Sequence, residues 1–214
     1  MKYTRNIFLF QKIFFGAKEG RSLKKKKLKE FVEFIPGINS SRVEAQLEEE
    51  KITYYDQSSF DEDYLIKEGN HQTVSPSSKI ESEGVLIKND IVISNTLQKA
   101  TLVHERNIGK ILSLNFMKVE FKNDSLDKNY FLYLFNAYPD IQRQKERELQ
   151  GTGPVRKLTK RSLENLEAPI VTLVEQQKIG AIYVETLKLQ SKLTTYASML
   201  EQFAGQVIEN SLEE

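Results

Sequence analysis

Residues 172–212 read TLVEQQKIGAIYVETLKLQSKLTTYASMLEQFAGQVIENSL. On a heptad ruler Ile179, Thr186, Leu193, Leu200 and Val207 occupy the a positions, and Ile182, Leu189, Tyr196, Phe203 and Asn210 the d positions. The alternating steps of three and four are the period that lets one helix bury a seam against another. A helix of ~39 residues rising ~1.5 Å per residue is on the order of 60 Å long, more than a small domain can cover. The start is marked by a capping box, Thr172-Leu-Val-Glu175, in which the threonine oxygen accepts from the N3 amide and the glutamate reaches back. Gly180 and Gly205 fall at positions b and f, off the seam. Position e adds Tyr183, Ala197 and Ala204, so the apolar face is wider than a two-stranded seam needs, and a partner broader than one helix is expected.

Working outward, 214 residues hold one ordinary domain plus this helix, or two small domains. A hydrophobic content of 39% with 29% charged residues describes a soluble chain able to build a core. The absence of cysteine removes disulfides, thiolate metal sites and cysteine nucleophiles together, and fits a reducing cytoplasm. The apolar start is interrupted at Gln11 and Lys12, too early for a signal-peptide core, and no stretch approaches the ~18 apolar residues of a membrane span. A cytoplasmic protein without a membrane partner is expected. The net charge of +1 conceals blocks: +8 over residues 1–30, −7 over 31–70, +5 over 141–161 and −5 from Ser162 onward. Signed faces of this kind suit a polyanion on one side and a protein on another.

The rest of the chain alternates short strand and helix signals. Phe8–Phe15, Phe31–Ile35, Ile52–Tyr55, Val85–Ile87, Ile91–Ile93, Thr101–Val103 and Ile111–Phe121 are β-branched or aromatic runs. Lys24–Lys27 between the first two reads as an exposed loop, Asn39–Glu50 as a short acidic helix, and Lys88-Asn89-Asp90 as a tight turn with Asn89 left-handed. Strands this short and this closely spaced predict a small, mostly antiparallel sheet or half-barrel. Asp127–Ala137 has helical spacing, Pro139 opens a basic helix to Gln150, Gly151–Pro154 breaks the chain, and Leu158–Leu166 carries another short helix. The fold class is therefore α+β, a globular head followed by one long helix.

Catalytic patterns are missing. His71 and His104 sit outside any H-x-x-H, H-E-x-x-H or nucleophile-elbow setting, and neither a P-loop nor a G-x-G-x-x-G follows a strand. No metal site and no catalytic residue is assigned, and the chain reads as non-catalytic. Phosphate neutralisation has more support, from Lys24–Lys27 and from Arg143, Lys145, Arg147, Arg156, Lys157, Lys160 and Arg161. For any one cluster the competing reading is a solvated charged surface. The polar run Ser94–Lys99 has side chains able to read base edges, or equally to make a plain surface loop. Tyr130, Phe131, Tyr133 and Phe135 have helical spacing, which favours core packing over base stacking.

Several of these stretches together resemble one half of the specificity subunit of type I restriction–modification systems. The segment Leu158–Ile179 matches that family's leucine-bearing short helix, apolar I-P-x-P segment, Glu-Gln pair and heptad through Leu163, Leu166, Pro169-Ile170, Glu175-Gln176 and Ile179, with Thr172 replacing the second proline. Gly151–Pro154 followed by Val155 and Leu158 is similar to the loop before that segment, and Asn129–Phe135 to the helix before the loop. Leu86–Ser94 resembles the family's Gly-Asp-apolar-apolar-Ser stretch, with Asn89 in place of glycine.

The resemblance implies a target-recognition domain over residues 1–168 and a dimerisation and spacer helix over 169–214. The helix would pair as an antiparallel coiled coil, with a second copy or another half-length specificity subunit. The head would read one half of a bipartite double-stranded DNA target. Modification subunits carrying adenine N6-methyltransferase chemistry and S-adenosylmethionine would dock on this scaffold, and a restriction or motor subunit could join; no cofactor would be bound by this chain. The DNA-contact candidates are positional: Lys24, Lys25, Lys26 and Lys27; Ser94, Asn95, Thr96, Gln98 and Lys99; Thr152, Arg156 and Lys157. Two other readings compete. One is a coiled-coil adaptor whose head binds another protein; the other is a DNA-processing enzyme using acids of residues 44–68 with a metal.

Overall fold

The structure, a computed structural model, describes residues 24–39, 53–65, 85–149 and 157–212. Phe8–Phe15, most of Asn39–Glu50, His71 and Gly151–Pro154 lie outside the described residues. The strands are β1 (Lys25–Lys27), β2 (Val32–Pro36), β3 (Tyr54–Tyr55), β4 (Ile91–Ser94), β5 (Lys99–Leu102), β6 (Ile111–Leu112), β7 (Phe116–Phe121) and β8 (Glu167–Pro169). The helices are α1 (Gln57–Tyr64), α2 (Lys128–Asn136), α3 (Pro139–Glu148), α4 (Lys160–Asn165) and α5 (Leu173–Leu212).

One antiparallel sheet, in the order β2-β7-β4-β5, organises the head, flanked by an antiparallel β1-β8 pair and a parallel β3-β6 pair. All four residues of the central strand β4 are buried. Ile91 and Ile93 enter a core shared with α2, α3, α4 and α5, while Val92 enters a second core with Tyr55, Phe60, Leu86, Val103, Leu112 and Phe116. A sheet covered on both faces needs a continuous apolar strand, so Ile-Val-Ile shows no alternation. The exposed edge of β5 is closed by a side chain. Asn136, at the end of α2, accepts from the Ala100 N–H (2.8 Å) and donates to its carbonyl (2.8 Å), which removes a template for stray strand pairing.

Local chemistry explains most of the boundaries. Asp127 caps α2 by accepting from the Tyr130 N–H, and Pro139 opens α3. Asn89 is left-handed (φ 65°) in the turn before β4, where the Asp90 carboxylate accepts from the Ile87 N–H and meets Lys118 at 2.9 Å. Three expectations are corrected. Lys24–Lys27 is not a loop, because Lys25–Lys27 pairs with Glu167–Pro169, anchored by the buried Leu28, whose N–H donates to the Leu166 carbonyl. The lysine stems lie along the surface: Lys26 reaches over the Phe31 ring and Lys25 binds Asp140 at 2.7 Å, which lowers the carboxyl pKa and raises that of the lysine. Ile111–Phe121 is two strands broken by a turn at Leu114-Asn115. Val85–Ile87 contributes a single bridge, from Val85 to Ile111.

Among the described residues α5 begins as expected. Thr172 and Glu175 close the capping box, with the Glu175 carboxylate accepting from the Thr172 N–H at 3.2 Å. Its first half lies on the head. Gln176, 1% exposed, accepts from the Asp127 N–H (2.9 Å) and donates to the carbonyls of Ser125 (3.0 Å) and Val171 (2.9 Å). Gly180 is where the backbones of α5 and α2 meet: an added Cβ would lie 2.6 Å from the Tyr130 nitrogen. Tyr183 packs edge-on to Tyr133, ring centroids 5.8 Å apart, and its burial raises the phenol pKa. The width of the apolar face at Tyr183 is thus used by the chain's own head rather than by a broader partner. Ile179, the first a position, is half-buried against the same core.

Candidate nucleic-acid interface

One end of the four-stranded sheet gathers polar turns from distant parts of the chain. Because β4 and β7 are antiparallel with Ser94 opposite Phe116, the turn after β4 and the turn before β7 come side by side. The Asn95 N–H donates to the Asn115 carbonyl at 3.0 Å, the Leu158 N–H to the Asn95 carbonyl at 3.4 Å, and Lys157 Nζ to Asn115 Oδ1 at 3.0 Å. β2 ends here too: the Gly37 N–H donates to the Phe116 carbonyl and the Ile38 N–H to that of Leu112. Gly37 is required by this close approach, since a Cβ there would collide with the Ser113 carbonyl.

The Asn95–Gln98 turn is built by its own residues. The fully buried Ser94 accepts from the Leu97 N–H through Oγ (3.2 Å) and shares a hydrogen bond with Thr96 Oγ1 (3.2 Å). The Gln98 N–H donates to the Ser94 carbonyl (2.8 Å), and Gln98 takes the left-handed conformation (φ 55°) that lets the strand return. Ser94 is therefore a turn former without an exposed face. Asn95 is 5% exposed, and its Oδ1 is buried without a hydrogen-bond partner. Thr96 and Gln98 are half-exposed.

The base of the hairpin rests on two lysines. Lys145, 2% exposed, donates to the carbonyls of Phe135 (2.7 Å) and Gln98 (2.8 Å) and sits 4.4 Å from the centroid of the Phe135 ring. Lys99 donates to the Asn136 carbonyl (3.2 Å). Both cations thus serve carbonyls at the C-terminal, negative end of α2. Burial pulls the Lys145 pKa down to about 7, with Lys99's charge adding to the effect, and burial lowers Lys99 as well. Lys145 has no exposed face left for a phosphate, whereas Lys99 is half-exposed. Lys157 is exposed at this end; Arg143, Arg147 and Arg161 are exposed on α3 and α4, where Arg143 faces Asp140 at 3.8 Å, Lys145 holds α3 to the turn and Ser162 Oγ of α4 donates to the Glu148 carbonyl (3.4 Å).

Of the residues selected from sequence, the structure brings Ser94–Lys99 and Lys157 together. Thr152 and Arg156 lie outside the described residues. Lys25–Lys27 lies on the β1-β8 pair, where Lys25 is bound to Asp140 of α3. Asn115 was missed, although Ser113-Leu-Asn115 between two apolar runs was a readable turn signal. The acids near α1 have structural tasks: Asp56 caps the helix, and the buried Asp63 accepts from Tyr55 OH (2.8 Å) and the His104 N–H (3.1 Å). No cluster of three or more metal-ligating side chains occurs among the described residues.

Comparison with known proteins gives the family. Residues 10–195 match the sequence model of the family described as type I restriction modification DNA specificity domain. The chain belongs to that family. It is a family of non-catalytic DNA-specificity domains. Among solved structures, the chain is similar to the HsdS subunit from Thermoanaerobacter tengcongensis, with 18% identity and a TM-score of 0.52 over 91% of this chain and 46% of that one. It is also similar to a chain of a type I R-M system solved for its complex assembly and conformational transition, with 17% identity and a TM-score of 0.56 over 97% and 50%. A type I S subunit from M. genitalium matches at 15% identity and a TM-score of 0.44, over 88% and 43%. The chain spans about half the length of each of these structures. Among proteins of curated function, none is similar in sequence to this chain. No helix among the described residues is long and apolar enough to cross a membrane.

Proposed function

We propose that this chain reads one half of a bipartite DNA target and scaffolds a type I restriction–modification complex. The observation that carries the reading is the division of labour on α5. Gln176, Ile179, Gly180, Tyr183, Val184, Leu187 and Ser191 are the wholly or partly buried positions, set on one side of the helix. Ile182, Leu189, Leu193, Tyr196, Leu200, Phe203 and Val207 are exposed, at 48%, 58%, 58%, 60%, 68%, 64% and 47%. At ~100° per residue the two sets point roughly 150° apart. A head held on one face leaves the opposite seam free for a second helix, from a second copy or another half-length specificity subunit. Antiparallel pairing, with Thr186 and Asn210 as its polar layers, sets two heads at opposite ends of a spacer. A two-fold pair then demands an inverted-repeat target.

In this reading residues 1–168 form the DNA-reading unit and 169–214 the pairing unit, in the cytoplasm. The turn-bearing end of the sheet faces duplex DNA, Thr96, Gln98, Asn115 and Lys157 meet it first, and Arg143, Arg147 and Arg161 neutralise phosphates. Methyltransferase subunits supply S-adenosylmethionine and the reaction, and a restriction or motor subunit joins them. The test is co-purification with the methyltransferase followed by duplex binding across a salt series. Sequence-selective retention that weakens steeply with salt is expected. Lys157→Ala should weaken all sequences alike, whereas loss of one base preference marks a base contact. A complex that retains no duplex at low salt sinks the reading.

A further inference from the structure

Two apolar side chains occupy places where the fold has no use for them. Leu97, 48% exposed, stands in the Asn95–Gln98 turn, and Leu114, 56% exposed, stands in the turn that precedes β7. The bond from the Asn95 N–H to the Asn115 carbonyl sets these two turns side by side. Turn positions favour small and polar residues, and neither leucine belongs to either buried core. Single exposed apolar residues are ordinary, but here two share one end of the sheet and are flanked by the amides of Gln98 and Asn115. The exposed cation Lys157 is bonded to Asn115 at the same end, a charge that suits a polyanion better than an apolar protein interface.

We propose that Leu97 and Leu114 read thymine, by packing against the 5-methyl group in the major groove. The inference rests on the DNA-reading function proposed above and names the chemistry of part of the site. The thymine methyl is the one apolar base-edge mark the major groove presents, and the exposed turns at this end of the sheet are the part of the head that can reach it. Polar side chains in the same turns would read neighbouring acceptors and donors, so a methyl-bearing base beside a hydrogen-bonded one is the pattern this end of the sheet selects.

The test uses the full chain with its methyltransferase partner. A duplex is selected by the wild-type complex from a randomised pool, then remade with uracil for every thymine, which deletes only the methyl groups. Wild-type affinity is expected to fall about four-fold for each contacted methyl, the equivalent of one buried methylene. Leu97→Ala and Leu114→Ala weaken the thymine duplex and narrow the thymine-to-uracil ratio towards one. Ile87→Ala, which removes an exposed apolar residue of the opposite end of the sheet, leaves both unchanged. Rescue by Leu97→Met, which restores apolar bulk, separates packing from misfolding. A complex that selects a sequence but is indifferent to uracil overturns this inference alone. Loss of methyltransferase co-purification in the leucine variants, with no uracil response in the wild type, reassigns the patch to a protein contact and also overturns it. Failure to select any sequence removes the DNA-reading function and this inference with it.

Discussion

The two halves of α5 obey one periodicity and meet opposite fates. From Gln176 to Ser191 the helix is pressed on the head through a fully bonded glutamine, a glycine without room for a methyl group and a tyrosine packed edge-on to Tyr133. From Lys192 to Leu212 every position is exposed, apolar seam included. Two kinds of contact are built to different tolerances. The head contact is a close backbone approach that admits one geometry, whereas the seam is a row of large exposed side chains, for which a partner helix of the same kind is proposed above. A heptad by itself marks burial but not what does the burying.

The comparison breaks most completely if the distal seam is charged. Leu193→Asp with Leu200→Asp should convert a pair into monomers in sedimentation while the thermal midpoint of the head stays in place. A coordinated loss of both would show that the halves fold as one unit. The glycines give the next contrast. Gly180→Ala should cost about 1–3 kcal/mol by overpacking against α2. Gly205→Ala, with nothing within 4 Å, should gain roughly 0.5–1 kcal/mol of helix propensity. Urea titrations of the two variants should therefore move in opposite directions. At Gln176, alanine leaves the Asp127 N–H and two carbonyls without their partner and should cost about 1–3 kcal/mol. Gln176→Glu should cost as well, because a carboxylate cannot donate to the Ser125 and Val171 carbonyls.

A further contrast concerns pH. With a pKa held near 7 in the fold and close to ~10.4 when unfolded, Lys145 binds more protons in the unfolded chain between those values. Its penalty is therefore full below pH 7 and is relieved as pH rises towards 10. Stability measured by urea at pH 6.5 and 9 should rise in the wild type more than in Lys145→Met. An equal response in both would mean that the lysine stays charged where it is.

Much of the head was legible because its signals are local. The helix read over Asp127–Ala137, Pro139 at the start of α3, the left-handed Asn89 and the Thr172–Glu175 box each need only a few neighbouring residues, and each stands where the chain places it. The misreadings share a different cause. Lys25–Lys27 has poor strand character and becomes a strand because Glu167–Pro169, far along the chain, supplies its partner. Lys145 reads as one more surface cation of a basic helix, yet it is buried, because the end of α2 presents carbonyls where α3 crosses it. The helix Gln57–Tyr64 went unread since its apolar content is slight, and the Asp56 cap and the Phe60 contact decide it together.

What the amino-acid order settled alone is the long helix, its starting point, the apolar stripe along it and the mixed head that precedes it. Those follow from periodicity and capping, which act within a few residues. Which part of the stripe belongs to the head and which stays bare was decided by tertiary structure, through the single point where Gly180 lets two backbones touch. The same is true of the candidate interface, where antiparallel pairing of β4 with β7 carries Leu97 and Asn115 to one end of the sheet and Lys157 is bonded to Asn115. Register across a sheet is a long-range property, set by what packs on both of its faces.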